Sequence, residues 1–344
     1  MKKIVIIGGG FAGAYCTKKL EDDFDVTLID AKDYFEFTPA ILRTIVEPKH
    51  IKKIQVLHRH YLHKAHIIQD EAQEVTDTHV LTAKENIPFD YLIVCSGSTY
   101  NTPIKAKNMV IATRASKLRD YSQKLSSAQS VLIVGGGLVG VELAAEIADG
   151  YKDKKITIVH AKENLIERNH HKAIHYAHCF LRKRGVEIIF NERVVEHKEG
   201  LYRTDKGKEF KPDLAFLCTG IQPNYEFLTK HFGSKLSDQH KIHVNNHLQI
   251  EGHERIFAAG DITDRNEEKT AQNAERQAAT VVRNIYHREQ GEQLEEYHSE
   301  SRPMLISLGK WKGIFTYKKF VLTGIIPAFL KTFVERKTMN RYAR

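Results

Sequence analysis

The chain opens with Ile4-Val-Ile-Ile-Gly-Gly-Gly-Phe-Ala-Gly13, an apolar run that leads into a G-x-G-x-x-G spacing. The pattern returns 127 residues later as Val131-Leu-Ile-Val-Gly-Gly-Gly-Leu-Val-Gly140. The glycines that define the two copies are Gly8, Gly10, Gly13, Gly135, Gly137 and Gly140. The first glycine of such a set makes a tight turn, the second lets backbone approach a pyrophosphate, and the third allows close helix–strand packing. Two copies predict two dinucleotide-binding units in an α/β fold.

A second pair of similar segments supports the duplication. Asp90-Tyr-Leu-Ile-Val-Cys-Ser-Gly97 and Asp213-Leu-Ala-Phe-Leu-Cys-Thr-Gly220 are apolar strands without alternation, each ending in a small polar residue and glycine. Such strands are typical of the centre of a parallel sheet, where they end at a ligand. The pattern places Ser96, Gly97 and Gly220 at the ligand-facing edges.

A third apolar strand, within Arg255–Thr263, ends in Gly260-Asp261 and precedes a predicted helix from Thr270 to about Tyr286. This order predicts that the second unit is inserted into the first. We expect one domain from residues 1–115 and 241–300, a second from 116–240, and a C-terminal segment, 301–344. The connector Asn101–Ser130 is predicted to contain a helix around Ser116–Leu125.

The residue that ends the second strand differs between the two units. Val26–Ile29 ends on Asp30, where a carboxylate accepts hydrogen bonds from a ribose hydroxyl. Ile156–Val159 ends on His160, which neither binds a 2′-hydroxyl strongly nor repels a 2′-phosphate, and Lys162 lies nearby. Exclusive use of NADH is therefore not predicted.

The charge of the chain is concentrated at one end. Lysine and arginine total 52 and aspartate and glutamate 43, a formal charge of +9. Residues 301–344 carry ten basic side chains and one acid, so residues 1–300 are neutral, which excludes a uniformly basic nucleic-acid coat protein. The same segment holds Trp311 and the uncharged run Phe320–Leu330, with Pro327 suited to the first turn of a helix.

This combination predicts docking on an anionic membrane surface. The alternative is that the segment covers the first domain or forms a homodimer interface. No apolar run is long enough to span a bilayer, and the glycines after Ile7 favour an intracellular first strand over a signal peptide.

The cysteines and histidines do not predict a metal site. The four cysteines lie far apart, so neither a disulfide framework nor a zinc ribbon is predicted. Histidines are numerous, and His171, His175 and His178 could share one helix face. No second element completes a ligand set, and we interpret them as surface residues with no functional metal.

Over residues 1–300 the order of motifs resembles the two-dinucleotide flavoproteins of the pyridine nucleotide-disulfide oxidoreductase superfamily. The resemblance implies that FAD binds the first unit and NADH or NADPH the second. The implied FAD residues are Gly8, Gly10, Gly13, Asp30, Lys32, Arg43, Ser96, Gly97, Gly260, Asp261, Thr270 and Ala271. The implied NAD(P)H residues are Gly135, Gly137, Gly140, His160 and Gly220.

Within the superfamily, the cysteine positions and four motifs indicate a branch. Tyr34–Lys49 contains no cysteine, unlike the disulfide reductases. The segments that resemble type II NADH:quinone oxidoreductases and the ferroptosis-suppressor branch are Tyr34-Phe-Glu-Phe-Thr-Pro39, Gly140-Val-Glu-Leu-Ala-Ala-Glu146, Ala271-Gln-Asn-Ala-Glu-Arg-Gln277 and Lys337-Thr-Met339. The third of these departs from the family's AQxAxQ pattern because Arg276 replaces the last glutamine. The resemblance implies that Glu142, Gln272 and Gln277 serve catalysis.

The sequence therefore predicts an FAD-dependent NAD(P)H:quinone oxidoreductase, cytoplasmic and peripheral on the inner face of a membrane. A reductase that feeds a ferredoxin- or rubredoxin-like carrier is the alternative enzyme. A redox-sensing protein whose tail binds nucleic acid is the alternative from another class, and nucleic acid is the less expected partner because an apolar run interrupts the basic residues.

Overall fold

The computed structural model describes residues 1–100 and 111–342. Residues 101–110 of the predicted connector Asn101–Ser130, and Arg344 of the basic segment, lie outside the described residues. The first described stretch contains β1 (Lys3–Ile7), α1 (Phe11–Leu20), β2 (Asp25–Asp30), β3 (Tyr34–Glu36), α2 (Ile41–Val46), α3 (Ile51–Ile54), β4 (Gln55–Leu57), β5 (His66–Gln69), β6 (Glu74–Val75), β7 (His79–Leu81), β8 (Asn86–Pro88), β9 (Tyr91–Val94) and β10 (Ser98–Thr99).

The remaining elements follow in chain order. From residue 111 they are α4 (Ile111–Ser127), β11 (Ser130–Val134), α5 (Leu138–Gly150), β12 (Lys155–Val159), α6 (His171–Arg182), β13 (Glu187–Ile189), β14 (Val194–Lys198), β15 (Leu201–Thr204), β16 (Glu209–Phe210), β17 (Leu214–Leu217), β18 (Gln222–Pro223) and α7 (Thr229–Phe232). The last are β19 (Ile256–Ala258), α8 (Ala271–Gln290), β20 (Met304–Leu308), β21 (Lys312–Tyr317), β22 (Phe320–Gly324) and α9 (Ile325–Tyr342).

The first unit is a five-stranded parallel sheet in the order β19-β9-β1-β2-β5. Its central strands, Ile4–Ile7 and Tyr91–Val94, are buried on both faces, as their continuous apolar sequences require. Helices α1 and α8 pack against each other. Strand β19 pairs with β9, although the whole second unit separates them in sequence. The predicted α/β class is confirmed, and the exact domain boundaries stay a prediction.

The second unit repeats this design with four parallel strands in the order β13-β12-β11-β17. A three-stranded antiparallel sheet of β14, β15 and β16 lies beside it. The predicted connector helix is longer than expected and spans Ile111–Ser127. The helix expected from Thr270 begins there, with Thr270 as its N-cap, and ends at Gln290 where Gly291 adopts a left-handed conformation.

The two chain crossings between the units pair with each other. Strands β10 and β18 are antiparallel, with Ser98 opposite Pro223 and Thr99 opposite Gln222. Beside them, Asn224 Nδ2 donates to the Ser96 carbonyl at 2.8 Å, and Ser96 Oγ donates to the Asn224 carbonyl at 2.8 Å. The crossing is therefore a hydrogen-bonded ladder.

The C-terminal segment forms an antiparallel sheet, β20-β21-β22, followed by α9. The uncharged run Phe320–Leu330 divides between β22 and the start of α9, and Pro327 lies in the first turn of the helix, as predicted. Across residues 1–100 and 111–342, every helix is too short or too polar to cross a lipid bilayer.

Candidate functional site

The first glycine loop joins β1 to α1 and leaves room for a ligand at one position only. Gly8 has a φ of +97°, and a Cβ there would lie 2.4 Å from the Cys95 carbonyl oxygen. A Cβ at Gly13 would lie 1.7 Å from the Gly8 carbonyl oxygen. A Cβ at Gly10 would meet nothing within 4 Å. The outer two glycines are thus required by the fold, whereas Gly10 borders open space at the helix start.

The second glycine loop has the same geometry. A Cβ at Gly135, whose φ is +111°, would lie 2.3 Å from the Cys218 carbonyl oxygen, and one at Gly140 would lie 1.9 Å from the Gly135 carbonyl oxygen. Gly137 again has nothing within 4 Å. The N-caps of α1 and α5 are Gly10 and Gly137, and neither has a side-chain hydrogen bond. Both helices therefore direct N–H groups without a side-chain cap at a space that fits a pyrophosphate.

Asp30 lies at the end of β2 with its carboxylate hydrogen-bonded on both oxygens. Oδ2 accepts from the Gly9 N–H at 3.0 Å and faces His58 Nε2 at 3.0 Å, and Oδ1 accepts from the Lys32 N–H at 3.2 Å. Burial acts to raise the pKa of Asp30, but Lys32 and the His58 hydrogen bond outweigh it and lower that pKa below its ordinary value. The side chain is therefore an ionised carboxylate beside the first glycine loop.

His160 occupies the corresponding position in the second unit. Its Nδ1 accepts from the Gly136 N–H at 3.0 Å, so the neutral ring carries its proton on Nε2. Nε2 in turn lies 3.0 Å from the Asn164 carbonyl oxygen and 3.3 Å from a Glu167 carboxylate oxygen. The second unit thus presents an imidazole where the first presents a carboxylate.

Several predicted cofactor residues do converge at the carboxyl ends of the first sheet. Ser98 Oγ donates to Asp261 Oδ2 at 2.6 Å, which joins the end of β9 to the end of β19. The glycines that follow two strands of this sheet have left-handed φ values: Gly97, after β9, +63° and Gly260, after β19, +90°. Gly220, after β17 of the second sheet, has a φ of +113°. The carboxyl edge is where open α/β sheets bind ligands.

The start of α8 separates the two predicted catalytic glutamines. Gln272, next to Ala271 in the first turn, is exposed. Gln277 is 1% exposed, and its Oε1 accepts from the Gly260 N–H at 2.7 Å while its Nε2 donates to Glu267 at 2.6 Å. The amide therefore holds the Gly260 loop in place, and a direct quinone contact at Gln277 stays a prediction.

Glu142 contacts the C-terminal segment, in a contact that the sequence analysis missed. Its Oε1 accepts from the Ser307 N–H at 2.7 Å and from Lys331 Nζ at 2.6 Å. Both side chains of the Glu142–Lys331 pair are mostly buried. The partners are 165 and 189 residues away in sequence, so no local pattern identifies them.

Arg43 lies beside this pair and is bound by protein groups. Its guanidinium donates to Glu146 at 3.0 and 3.4 Å and to the Gly309 carbonyl at 3.1 Å. Burial raises the pKa of Glu146, although Arg43 acts in the opposite direction. Arg43 thus connects α2, α5 and the C-terminal sheet, and its assignment to FAD stays a prediction. A small pocket lies between these elements, lined by Arg43, His50, Glu142, Glu146, Lys331 and Glu335 among others.

Three of the four cysteines are buried. Cys16, Cys95 and Cys218 are buried, and burial raises the pKa of Cys218 to about 12. Cys179 is partly exposed on α6, 3.5 Å from His175 Nε2. Within the described residues, no group of three or more histidine, cysteine or acidic side chains is arranged to hold a metal ion.

A family model described as pyridine nucleotide-disulphide oxidoreductase matches residues 2–278. The chain belongs to this family. The oxidoreductase is 33% identical over 343 residues to apoptosis-inducing factor homolog B of Dictyostelium discoideum, covering 91% of this chain and 89% of that protein. It is 30% identical over 347 residues to ferroptosis suppressor protein 1 of Homo sapiens, covering 96% and 92%.

Solved structures share the fold of the oxidoreductase along its whole length. The sulfide:quinone oxidoreductase of Aquifex aeolicus aligns with a TM-score of 0.85 at 18% identity, covering 100% of this chain and 92% of that one. NDH2 from Plasmodium falciparum in complex with NADH aligns with a TM-score of 0.81 at 16% identity, covering 100% and 99%. The oxidoreductase is a flavoprotein of a family that uses FAD and NAD(P)H, as predicted. The two glycine loops fit these cofactors, because each leaves its middle glycine open beside a helix N-terminus without a side-chain cap.

Proposed function

We propose that the oxidoreductase transfers electrons from NAD(P)H through FAD to a quinone, while bound to the inner face of a membrane from the cytoplasmic side. FAD, when bound, accepts a hydride from the nicotinamide and passes two electrons to the acceptor. The single observation that favours a quinone as the acceptor is the row of exposed apolar side chains on α9.

Helix α9 exposes a row of apolar side chains and directs two of its charged side chains, Lys331 and Glu335, inward. Ile325, Phe329 and Phe333, four residues apart along one face, are each about half or more exposed. On the opposite face Lys331 pairs with Glu142, and Glu335 lies 3.2 Å from His50 Nε2. A surface helix in water has the reverse arrangement. An apolar phase against the outer face would remove these side chains from water and stabilise the arrangement.

The outward residues belong to one larger surface, which we name the apolar face. Of the ten exposed large hydrophobic side chains in the described part of the chain, eight lie in this segment: Trp311, Tyr317, Phe320, Ile325, Ile326, Phe329, Leu330 and Phe333. Exposed basic side chains border it in the sequence at Lys310, Lys318, Lys319, Arg336 and Lys337. Apolar anchors within a cationic rim suit an anionic phospholipid surface, where each basic residue contributes about 1 kcal/mol.

The inner side of the same segment carries the groups that can assist a quinone. Reduction of a quinone to a quinol takes two protons as well as two electrons. Lys331 Nζ holds protons 2.6 Å from Glu142 Oε1, in the pocket between α2, α5 and α9. Glu142, the fifth residue of α5, keeps that ammonium in place. We propose that this pair supplies a proton to the acceptor, and that thiols take no part because the cysteines nearest the loops are buried.

The test uses vesicles and two acceptors. The double variant Phe329→Ser/Phe333→Ser is compared with Val195→Ser, which removes an exposed hydrophobic residue from the second unit. We expect the double variant to lose flotation with anionic vesicles and to lose at least about tenfold in kcat/KM for a long-tailed quinone in those vesicles. Turnover of NADH with ferricyanide is expected to stay unchanged in both variants.

Two results would contradict the proposal. Wild-type protein that stays with the aqueous fraction, and reduces an acidic ferredoxin-like carrier faster than any quinone, would favour the electron-carrier reductase. A particle of twice the monomer mass whose apolar face is buried between two copies would assign that face to a homodimer. Light scattering with and without vesicles distinguishes the second case.

A further inference from the structure

His58 is a buried histidine. It belongs to neither of the two glycine motifs, and the proposed electron transfer assigns it no role. It is 1% exposed and lies between Asp30 and Tyr61. Nε2 is 3.0 Å from Asp30 Oδ2, and Nδ1 is 2.7 Å from the Tyr61 hydroxyl. Because Asp30 is ionised, Nε2 carries the hydrogen of the first bond, whatever the state of Nδ1. The imidazole therefore fixes one carboxylate oxygen of Asp30.

The same oxygen is shared with the glycine loop, and the space around it is full. A Cβ added at Gly9 would lie 2.5 Å from Asp30 Oδ2 and 2.5 Å from two atoms of the His58 ring. Gly9 is the unspecified residue between the first two glycines of the motif, yet here no side chain fits. The loop N–H, the carboxylate and the imidazole thus form one packed cluster at the edge where Asp30 would meet a ribose.

The cluster continues to the far end of α9. The Tyr342 ring lies 4.9 Å from the Tyr61 ring and 4.3 Å from the Phe35 ring, measured between centroids, and is 2% exposed. Lys18 Nζ lies 5.9 and 5.8 Å from the Tyr61 and Tyr342 centroids and donates to the Arg341 carbonyl. The last turn of α9 therefore closes the pocket that holds Tyr61 against His58.

We propose that His58 is a positioning residue for FAD: it fixes the Asp30 carboxylate for the adenosine ribose, and Tyr342 keeps it there through Tyr61. The packing of α9 against the first unit thereby determines the affinity of that unit for FAD. The inference rests on the assignment of FAD to the first loop but not on the identity of the electron acceptor.

The test measures the dissociation constant of FAD by flavin fluorescence on protein stripped of its flavin and then reloaded. His58→Ala is expected to weaken FAD binding about tenfold or more, the size expected for loss of one hydrogen bond to a charged group. His58→Gln keeps a donor near the Nε2 position and is expected to stay within about threefold of wild type. Tyr342→Ala is expected to increase the rate of FAD release, and Tyr342→Phe to leave it unchanged because only the ring makes the contact.

A coupling experiment and a control separate positioning from general stability. If His58 acts through Asp30, His58→Ala adds less than about a twofold loss in the Asp30→Asn background. Tyr202→Phe, at a buried tyrosine stacked on His197 in the second unit, is the matched control and is expected to bind FAD normally. NADH affinity of every variant reports whether the second unit is folded.

Unchanged FAD affinity in His58→Ala, or full additivity with Asp30→Asn, would overturn the proposal. Normal FAD affinities together with no quinone turnover would contradict the proposed function and leave the role of His58 intact.

Discussion

The two dinucleotide units have the same glycine geometry and differ in the residue that receives the loop N–H. In the first unit the Gly9 N–H donates to Asp30, and in the second the Gly136 N–H donates to His160, both at 3.0 Å. A buried N–H needs an acceptor in both places. The identity of that acceptor decides whether a negative charge lies beside the glycine loop, so the loop geometry and the charge next to it are separate properties.

A second feature is the same in both units. Asp90 Oδ2 accepts from the Lys3 N–H at 2.8 Å, and Asp213 Oδ2 accepts from the Ser130 N–H at 2.8 Å. Each aspartate precedes the strand that pairs beside the first strand of its unit, and so fixes that first strand at its amino end. The recurrence of aspartate in the two strand signatures thus has a structural role, away from the cofactor edge.

The largest expected effect comes from filling the open middle glycines. Gly10→Val is expected to abolish FAD binding, because the side chain would occupy the space predicted for the pyrophosphate, and its Cβ would have no protein atom within 4 Å. Gly137→Val is expected to keep FAD and lose reduction by NADH. Absorbance of the bound flavin and its bleaching by NADH measure the two losses, and a Gly137→Val protein isolated without flavin would contradict the assignment of the loops.

A substitution at His160 tests the difference in charge between the two units. His160→Asp restores an acceptor for the Gly136 N–H and adds the negative charge that the first unit has. A carboxylate there repels a 2′-phosphate, so we expect kcat/KM for NADPH to fall about tenfold relative to that for NADH. Steady-state kinetics with both nucleotides give the ratio of the two kcat/KM values. An unchanged ratio would mean that another group distinguishes a 2′-phosphate from a 2′-hydroxyl.

The smallest expected effect concerns the two strand-fixing aspartates. Hydrogen bonds from Ser130 and Gln129 hold the pKa of Asp213 below its ordinary value of 3.8, and the Lys3 N–H lowers that of Asp90. A carboxyl with a lowered folded-state pKa contributes stability that is complete above pH 3.8 and disappears as the pH falls through the folded-state value.

Asp213→Asn and Asp90→Asn are therefore expected to lower the melting temperature near neutral pH and to approach wild type in acid. The effect is expected to be larger at Asp213, which accepts three hydrogen bonds from Gln129 and Ser130, than at Asp90. Thermal melts across the pH range measure both. Variants that melt at the wild-type temperature at neutral pH would contradict a structural role for these two aspartates.

Local patterns predicted much of this molecule because parallel sheets and glycine loops are built from short sequences. The strand positions, the N-cap at Thr270 and Pro327 in the first turn of α9 all depend on neighbouring residues. The apolar row of α9 follows the same kind of local pattern, since Ile325, Phe329 and Phe333 recur every four residues. Contacts such as Glu142–Lys331 and Asp30–His58 join distant segments, and no spacing in the sequence encodes them.

The ladder between β10 and β18 has a mechanical consequence. A hinge needs a few residues that are free to change their backbone angles, yet here both crossings share hydrogen bonds with each other and with Ser96 and Asn224. Rotation of one unit against the other would break these bonds together. We therefore expect little rotation of one unit against the other during turnover.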